Sequence, residues 1–142
     1  ERKTASWTAC VAHVAVAPSG DVKVKKLTVA TDVGTAVNPD GIRAQVEGGA
    51  MWGMSLALFE KATMKDGGIE QTNFDTYTPM RMSQMPEVAV HIIANGEHAT
   101  GVGEPTVTVV APAIANAIFN AVGARVRSLP ITAEAVKAAM KA

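Results

Sequence analysis

Residues 39–60 carry the spacing and the entry signals of an α-helix, yet Gly48, Gly49 and Gly53 interrupt it. Asn38 is suited to the N-cap and Pro39 to the first helical position, so the start is well specified. Each glycine costs roughly 1 kcal/mol against alanine in a helix interior. Three together cost about 3 kcal/mol, a large share of a total stability of about 5–15 kcal/mol. A sequence that keeps them needs a close neighbour on that helix: another helix, a strand or a ligand. The first half carries Arg43, Gln45 and Glu47, whereas Ala50 to Phe59 is apolar on nearly every side. That pattern predicts a second half buried all round.

The other constrained stretch is Gly101-Val102-Gly103-Glu104-Pro105. The glycines can take backbone angles closed to other residues. Pro105 disfavours the α region for Glu104 and predicts extended backbone there. A helix is expected from Val107 to Ala121, with Val107, Val110, Ile114, Ala117, Ile118 and Ala121 at three- and four-residue spacing and Gly123 closing it. Glu104 therefore stands just before a helix start, where exposed N–H groups favour anions. This arrangement could hold an acid/base group at a fixed point; a polar turn with Glu104 in solvent uses the same residues.

Residues 7–16 and 22–32 read as two strands of a hairpin around the turn Pro18-Ser19-Gly20-Asp21. Lys23, Lys25 and Lys26 fit a wet face or a protected edge. Cys10 and His13, three apart, point to opposite faces of a strand, so Cys10 reads as a small core residue rather than half of a metal site. Lys65-Asp66-Gly67-Gly68 is a second hairpin turn, between short strands around 62–64 and 69–71. Residues 72–86 look irregular, with Tyr77 and Arg81 either lining a pocket or packing. A strand is expected over 87–94 with a solvated His91. His98 lies in the following loop and could share a cleft with Glu104. Residues 125–129 read as a short edge strand, and Thr132 caps a last helix ending at Ala142. The class is α+β: β-hairpins with two main packed helices and a short C-terminal helix, residues 1–142 forming a single domain.

The 142 residues suffice for a core. Thirteen basic and 13 acidic residues balance, which gives no support for nucleic-acid or anionic-membrane binding. Apolar residues make up 48% but aromatics only 4%, so the interior must be built from Ala, Val, Ile, Leu and Met. No transmembrane span is expected. One cysteine excludes an internal disulfide. The start, Glu1-Arg2-Lys3-Thr4, has neither Met nor a signal-peptide core, so the chain is expected to begin within a longer protein. Phosphate-cradling loops, a zinc cluster and a Gly-x-Ser-x-Gly elbow are missing from the sequence. What remains is a constrained carboxylate, a glycine-interrupted helix and a long irregular segment.

Asp32-Val-Gly-Thr-Ala-Val-Asn38-Pro39, followed by Arg43-Ala-Gln45-Val-Glu47-Gly48-Gly49, resembles the C-terminal molybdopterin-binding part of the xanthine dehydrogenase/aldehyde oxidase family. Gly101-Val-Gly-Glu104-Pro105 before an Ala-rich helix does so too. Asn73-Phe74, Met80-Arg81-Met82, Met85-Pro86-Glu87-Val88 and Arg127-Ser-Leu-Pro130-Ile-Thr are similar to the isoquinoline 1-oxidoreductase β-subunit branch. The likeness runs from about residue 20 to 135, with the motifs in order.

The resemblance implies a C-terminal fragment of a longer large subunit of a molybdenum hydroxylase, inactive by itself. It implies a molybdopterin cofactor with Mo, expected in the cytosine dinucleotide form, and [2Fe-2S] clusters on a separate small subunit. The pterin dithiolene would hold the metal, with no protein side chain as a metal ligand. Glu104 matches the catalytic glutamate, which takes a proton from a hydroxyl on molybdenum. The oxygen then attacks an aldehyde or N-heteroaromatic carbon, hydride passes to the metal's sulfur, and electrons leave through the clusters. Gln45 matches the glutamine that hydrogen-bonds the pterin, although Ala44 stands where many members have Gly. The partners implied are the remainder of the large subunit, the iron–sulfur subunit and a small-molecule substrate. Export of relatives through the twin-arginine route favours the periplasm over the cytoplasm. The alternatives are a non-catalytic domain that keeps the fold and binds a partner chain, or a cofactor-free hydrolase using Glu104 as base.

Overall fold

The computed structural model describes residues 6–140; the readings of Glu1–Thr4 and of a helix end at Ala142 lie outside them. Strands β1 (Trp7–Val16) and β2 (Val22–Asp32) form the expected antiparallel hairpin. Alternation along β2 buries Val24, Leu27, Val29 and Thr31 on one face. Cys10 lies on the inner side of β1 against this core and His13 on the outer side, with the register shifting just after it.

Helix α1 (Pro39–Leu58) begins as its sequence dictates. The Asn38 side chain accepts from Gly41 N, and Pro39 occupies the first turn. A small hairpin follows, β3 (Met64–Lys65) and β4 (Gly68–Ile69), turning at Asp66-Gly67. Residues 70–86 are irregular apart from a single 3₁₀ turn at Met82–Gln84.

Strand β5 (Glu87–Ile93) then pairs in parallel with β2, from Lys26↔Glu87 to Asp32↔Ile93. The sheet order is β1-β2-β5, so the fold is not built from hairpins alone. The connection from β2 to β5 carries all of α1, long enough for a parallel crossover. This places β2 at the centre of the sheet. Lys23 and Lys25 therefore occupy a wet face and not an edge, and Lys26 Nζ pairs with Glu87 Oε1 at 2.7 Å. His91 is exposed, as its register requires.

Helix α2 (Pro105–Val122) packs on β1 and α1 through Thr106, Val110, Ile114 and Ile118. It has the length and hydropathy to cross a membrane, which the sequence reading did not anticipate; its apolar stripe is spent on the sheet and on α1. Gly123, at φ +72°, closes it. Helix α3 (Ala133–Ala139) starts at Thr132, whose hydroxyl accepts from Ala135 N, and buries Val136.

The glycines of α1 now have a cause. A Cβ on Gly53 would stand 2.9 Å from the Val107 carbonyl oxygen and 2.9 Å from Val110 Cβ, and one on Gly49 would stand 3.1 Å from Thr106 Cβ. These two admit α2 at close range. Gly48 faces open space and plays no part in that packing.

Two further expectations fail. The second half of α1 is not buried all round: Trp52 is 63% and Leu56 36% exposed, because α2 and the sheet cover only the side carrying Ala50, Met54 and Ala57. No strand forms over 125–129. Ala124 and Val126 are buried, and Ile131 N donates to the Ala57 carbonyl, so this segment is tied to α1 and lacks a sheet partner.

Candidate functional site

The motif Asp32-Val33-Gly34 follows β2 and acts as a clasp. Gly34 adopts φ +67°, and a Cβ there would fall 2.2 Å from the His98 carbonyl oxygen, so only glycine lets the 95–100 loop lie against it. The Asp32 carboxylate accepts from Gly34 N at 3.1 Å and from Asn95 Nδ2 at 3.0 Å. Thr35 Oγ1 donates to the Glu97 carbonyl, Asn95 N to the Gly34 carbonyl and Thr100 N to the Val33 carbonyl. These bonds fasten the loop that leads to Gly101 beside the start of α1.

Between that loop and α1 lies an open cleft of about 320 Å³, lined among others by Val33, Asn38, Gly41, Gln45, Thr100 and Val102. Asn38, Gly41 and Gln45 recur at helical spacing, so one stripe of α1 forms a wall. The helix N-terminus is on the same wall, where its N–H groups favour anionic oxygens. Opposite stands a polar atom with an open account: Thr100 Oγ1 is buried and has no hydrogen-bond partner among the described residues. Buried polar groups are normally satisfied, and an exception points to a missing partner.

Of the two residues singled out in the sequence, Gln45 lines this cleft and is exposed. Glu104 is exposed and is not among the lining residues, although Val102, two residues earlier, is. Glu104 is the N-cap of α2 with φ −114° and ψ −26°, which corrects the expectation of extended backbone. Its carbonyl accepts from Val107 N at 3.2 Å, and closing that turn requires the helical ψ despite Pro105. The side chain makes no capping bond, so the carboxylate is uncommitted within the chain. Gly101 and Gly103 also depart from expectation. Neither has a positive φ, and a Cβ on either would meet nothing within 4 Å. His98 contributes its backbone to the clasp and does not line the cleft.

Thr100 was not legible as a site residue in the sequence, because a threonine in a loop carries no signal of burial. Tyr77 lines a separate cleft on the far half of α1, and Arg81 is exposed and lines neither. The Tyr77 hydroxyl donates to Glu60 Oε2, and this bond, with the carboxylate's charge, holds the phenol above its ordinary pKa. Burial pushes the Cys10 thiol up to about 11, consistent with a packing residue. Among the described residues, no group of three or more His, Cys, Asp or Glu is placed to hold a metal ion.

Residues 1–86 match the family described as the molybdopterin cofactor-binding domain. The chain belongs to that family. Gln45 lies inside the matched residues and Glu104 beyond them. Over 132 residues, 92% of the chain, this molybdopterin-binding domain is 48% identical to the membrane-bound aldehyde dehydrogenase [pyrroloquinoline-quinone] of Gluconacetobacter polyoxogenes, covering 17% of that protein. It is 36% identical over 110 residues, 78% of the chain, to isoquinoline 1-oxidoreductase subunit beta of Brevundimonas diminuta, covering 14% of it. Among solved structures, the aldehyde oxidoreductase from Desulfovibrio desulfuricans superimposes with a TM-score of 0.84 at 30% identity, over 95% of this chain and 15% of that one. The chain thus spans about one sixth of the length of the proteins it matches. The relatives are molybdenum subunits of xanthine dehydrogenase and aldehyde oxidoreductase type, as the sequence motifs implied.

The cleft fits a molybdopterin. Such a cofactor presents amide-like ring edges and phosphate oxygens. Gln45 can donate and accept at once, Thr100 Oγ1 lacks a partner, and a helix N-terminus stands beside them.

Proposed function

We propose that this domain works within the large subunit of a molybdenum hydroxylase, which oxidises an aldehyde or N-heteroaromatic carbon with water as the oxygen source. The observation that carries this reading is the unpartnered Thr100 hydroxyl in the cleft that Gln45 lines, within a chain of the molybdopterin-binding family. Gln45 and Thr100 would hold the cofactor's polar edge, in its cytosine dinucleotide form, and the start of α1 would favour its anionic oxygens. When bound, the molybdenum group supplies two-electron redox chemistry. Glu104 acts as general base: its free carboxylate accepts the proton from the hydroxyl whose oxygen goes to the substrate carbon. The net reaction takes R–H and water to R–OH, two protons and two electrons. The electrons pass to [2Fe-2S] clusters on a separate small subunit. Residues 1–142 act as one domain of the large subunit, in the periplasm, and the remainder of that subunit completes the pocket.

The test is the intact mass and metal content of the native complex that contains this chain. A polypeptide several times longer, carrying molybdenum in near-stoichiometric amount, is the expected result; a short chain without molybdenum refutes the reading. A second reading takes its support from the quinone in the name of the Gluconacetobacter relative. It requires pyrroloquinoline quinone and no molybdenum in the same sample, so one measurement separates the two.

A further inference from the structure

The core of this protein contains no aromatic residue; its buried apolar side chains are aliphatic or methionine. The chain has two tryptophans, one tyrosine and three phenylalanines, and three of these six line one cleft. That cleft, of about 420 Å³, lies between the second half of α1 and residues 60–80, and is lined by Trp52, Phe74, Tyr77, Met51, Met80 and Glu60 among others. Its walls are tied together. Ser55 Oγ accepts from Met80 N at 2.9 Å, Glu60 N donates to the Ser55 carbonyl at 3.1 Å, and the Tyr77 hydroxyl donates to Glu60 Oε2. Yet Trp52 and Phe74 are 63% and 70% exposed. Leu56, one turn beyond Trp52 on the same face of α1, is exposed as well.

Three features describe the occupant. Aromatic faces and methionine sulfurs at the wall of a cleft attract a cation carried on an apolar stem. Glu60 is the sole charged lining group; Tyr77 engages its Oε2, which leaves Oε1 for a second donor, and no described cation pairs with it. The cleft is too open to enclose a small molecule, because ligand pockets bury most of their ligand and Trp52 and Phe74 would remain wet around one. Polypeptide on both sides of a side chain would cover them.

We propose that this cleft receives an arginine or lysine side chain from the part of the same large subunit that lies outside residues 1–142, with the side chain between Trp52 and Phe74 and its cationic head on Glu60. The proposal rests on the reading that the domain belongs to a longer subunit, as the length of its relatives supports. It commits that subunit to a contact on the half of α1 away from Gln45.

The test uses the complete native subunit with a photoreactive benzoylphenylalanine in place of Phe74, an exposed position that leaves the core intact. After irradiation and digestion, the cross-linked peptide is sequenced by mass spectrometry. The expected product joins position 74 to a peptide of the same polypeptide, outside residues 1–142, with Arg or Lys within a few residues of the cross-link. Adding Glu60→Gln lowers its yield at least fivefold. No cross-link, a peptide without a basic residue, a peptide from another chain, or a yield indifferent to Glu60→Gln each overturns the proposal. Intact mass and molybdenum content of the same sample are read separately. A long subunit without molybdenum would refute the assigned activity and leave this contact standing; a long molybdenum subunit without the cross-link would do the reverse.

Discussion

Replacing Thr100 with valine separates a cofactor contact from an ordinary loop residue, because the two roles predict opposite signs in two assays. Valine keeps the branched shape and exchanges the hydroxyl for a methyl. In the cofactor-free chain that hydroxyl oxygen is buried without a partner. Burying an unpaired hydroxyl costs about 1–3 kcal/mol by mutational measures. Removing it should therefore stabilise the cofactor-free protein by about 1–2 kcal/mol, seen in urea unfolding as a higher midpoint at unchanged slope. For a chain of this size that corresponds to a rise of about 3–6 °C in Tm. In the cofactor-loaded enzyme the same change deletes a hydrogen bond worth about 1–1.5 kcal/mol, so the pterin should dissociate about 5–10-fold more readily during dialysis. A variant harmed by misfolding would lose in both assays. Destabilisation of the cofactor-free protein by more than about 1 kcal/mol would show that the hydroxyl is paired in the folded chain, and the assignment of Thr100 would fall.

Four further outcomes are expected. Glu104→Gln in the complete enzyme keeps its molybdenum but loses at least ~10²-fold in turnover, and near-normal turnover removes Glu104 from the mechanism. Gln45→Ala lowers molybdenum content in the purified enzyme, measured by elemental analysis; full occupancy counts against a cofactor contact. Gly53→Ala forces a Cβ against the Val107 carbonyl and should destabilise by about 1–2 kcal/mol, whereas Gly48→Ala meets open space and should stabilise by about 0.5–1 kcal/mol. Equal effects at the two positions would undo the account of helix packing. Cys10, with its thiol pushed up to about 11, should alkylate at pH 8 about a hundredfold more slowly in the folded protein than in urea. The sign for stability follows from the raised value. The contribution is complete below the unfolded value near 9 and is lost as pH rises through about 11, so the unfolding midpoint falls over that window and falls less in Cys10→Ala.

Local chemistry was enough to read the ends of both long helices, the first hairpin and the family. Asn38 before Pro39, Gly123 after an apolar stripe and the turn at Ser19-Gly20 act within a few residues, so their effect is visible in the order of residues alone. The motifs that point to a molybdopterin are short and local for the same reason. Pairing and burial are set by what lies across a gap. The parallel placement of β5 beside β2, the close approach of α2 that Gly49 and Gly53 permit, and the uncovered face of α1 at Trp52 and Leu56 all depend on residues distant in sequence. Thr100 shows the division most clearly. Its hydroxyl is an ordinary loop group until the Asp32–Gly34 clasp buries it, and only then does a lone polar atom, cut off from water, acquire a free energy that asks for a partner.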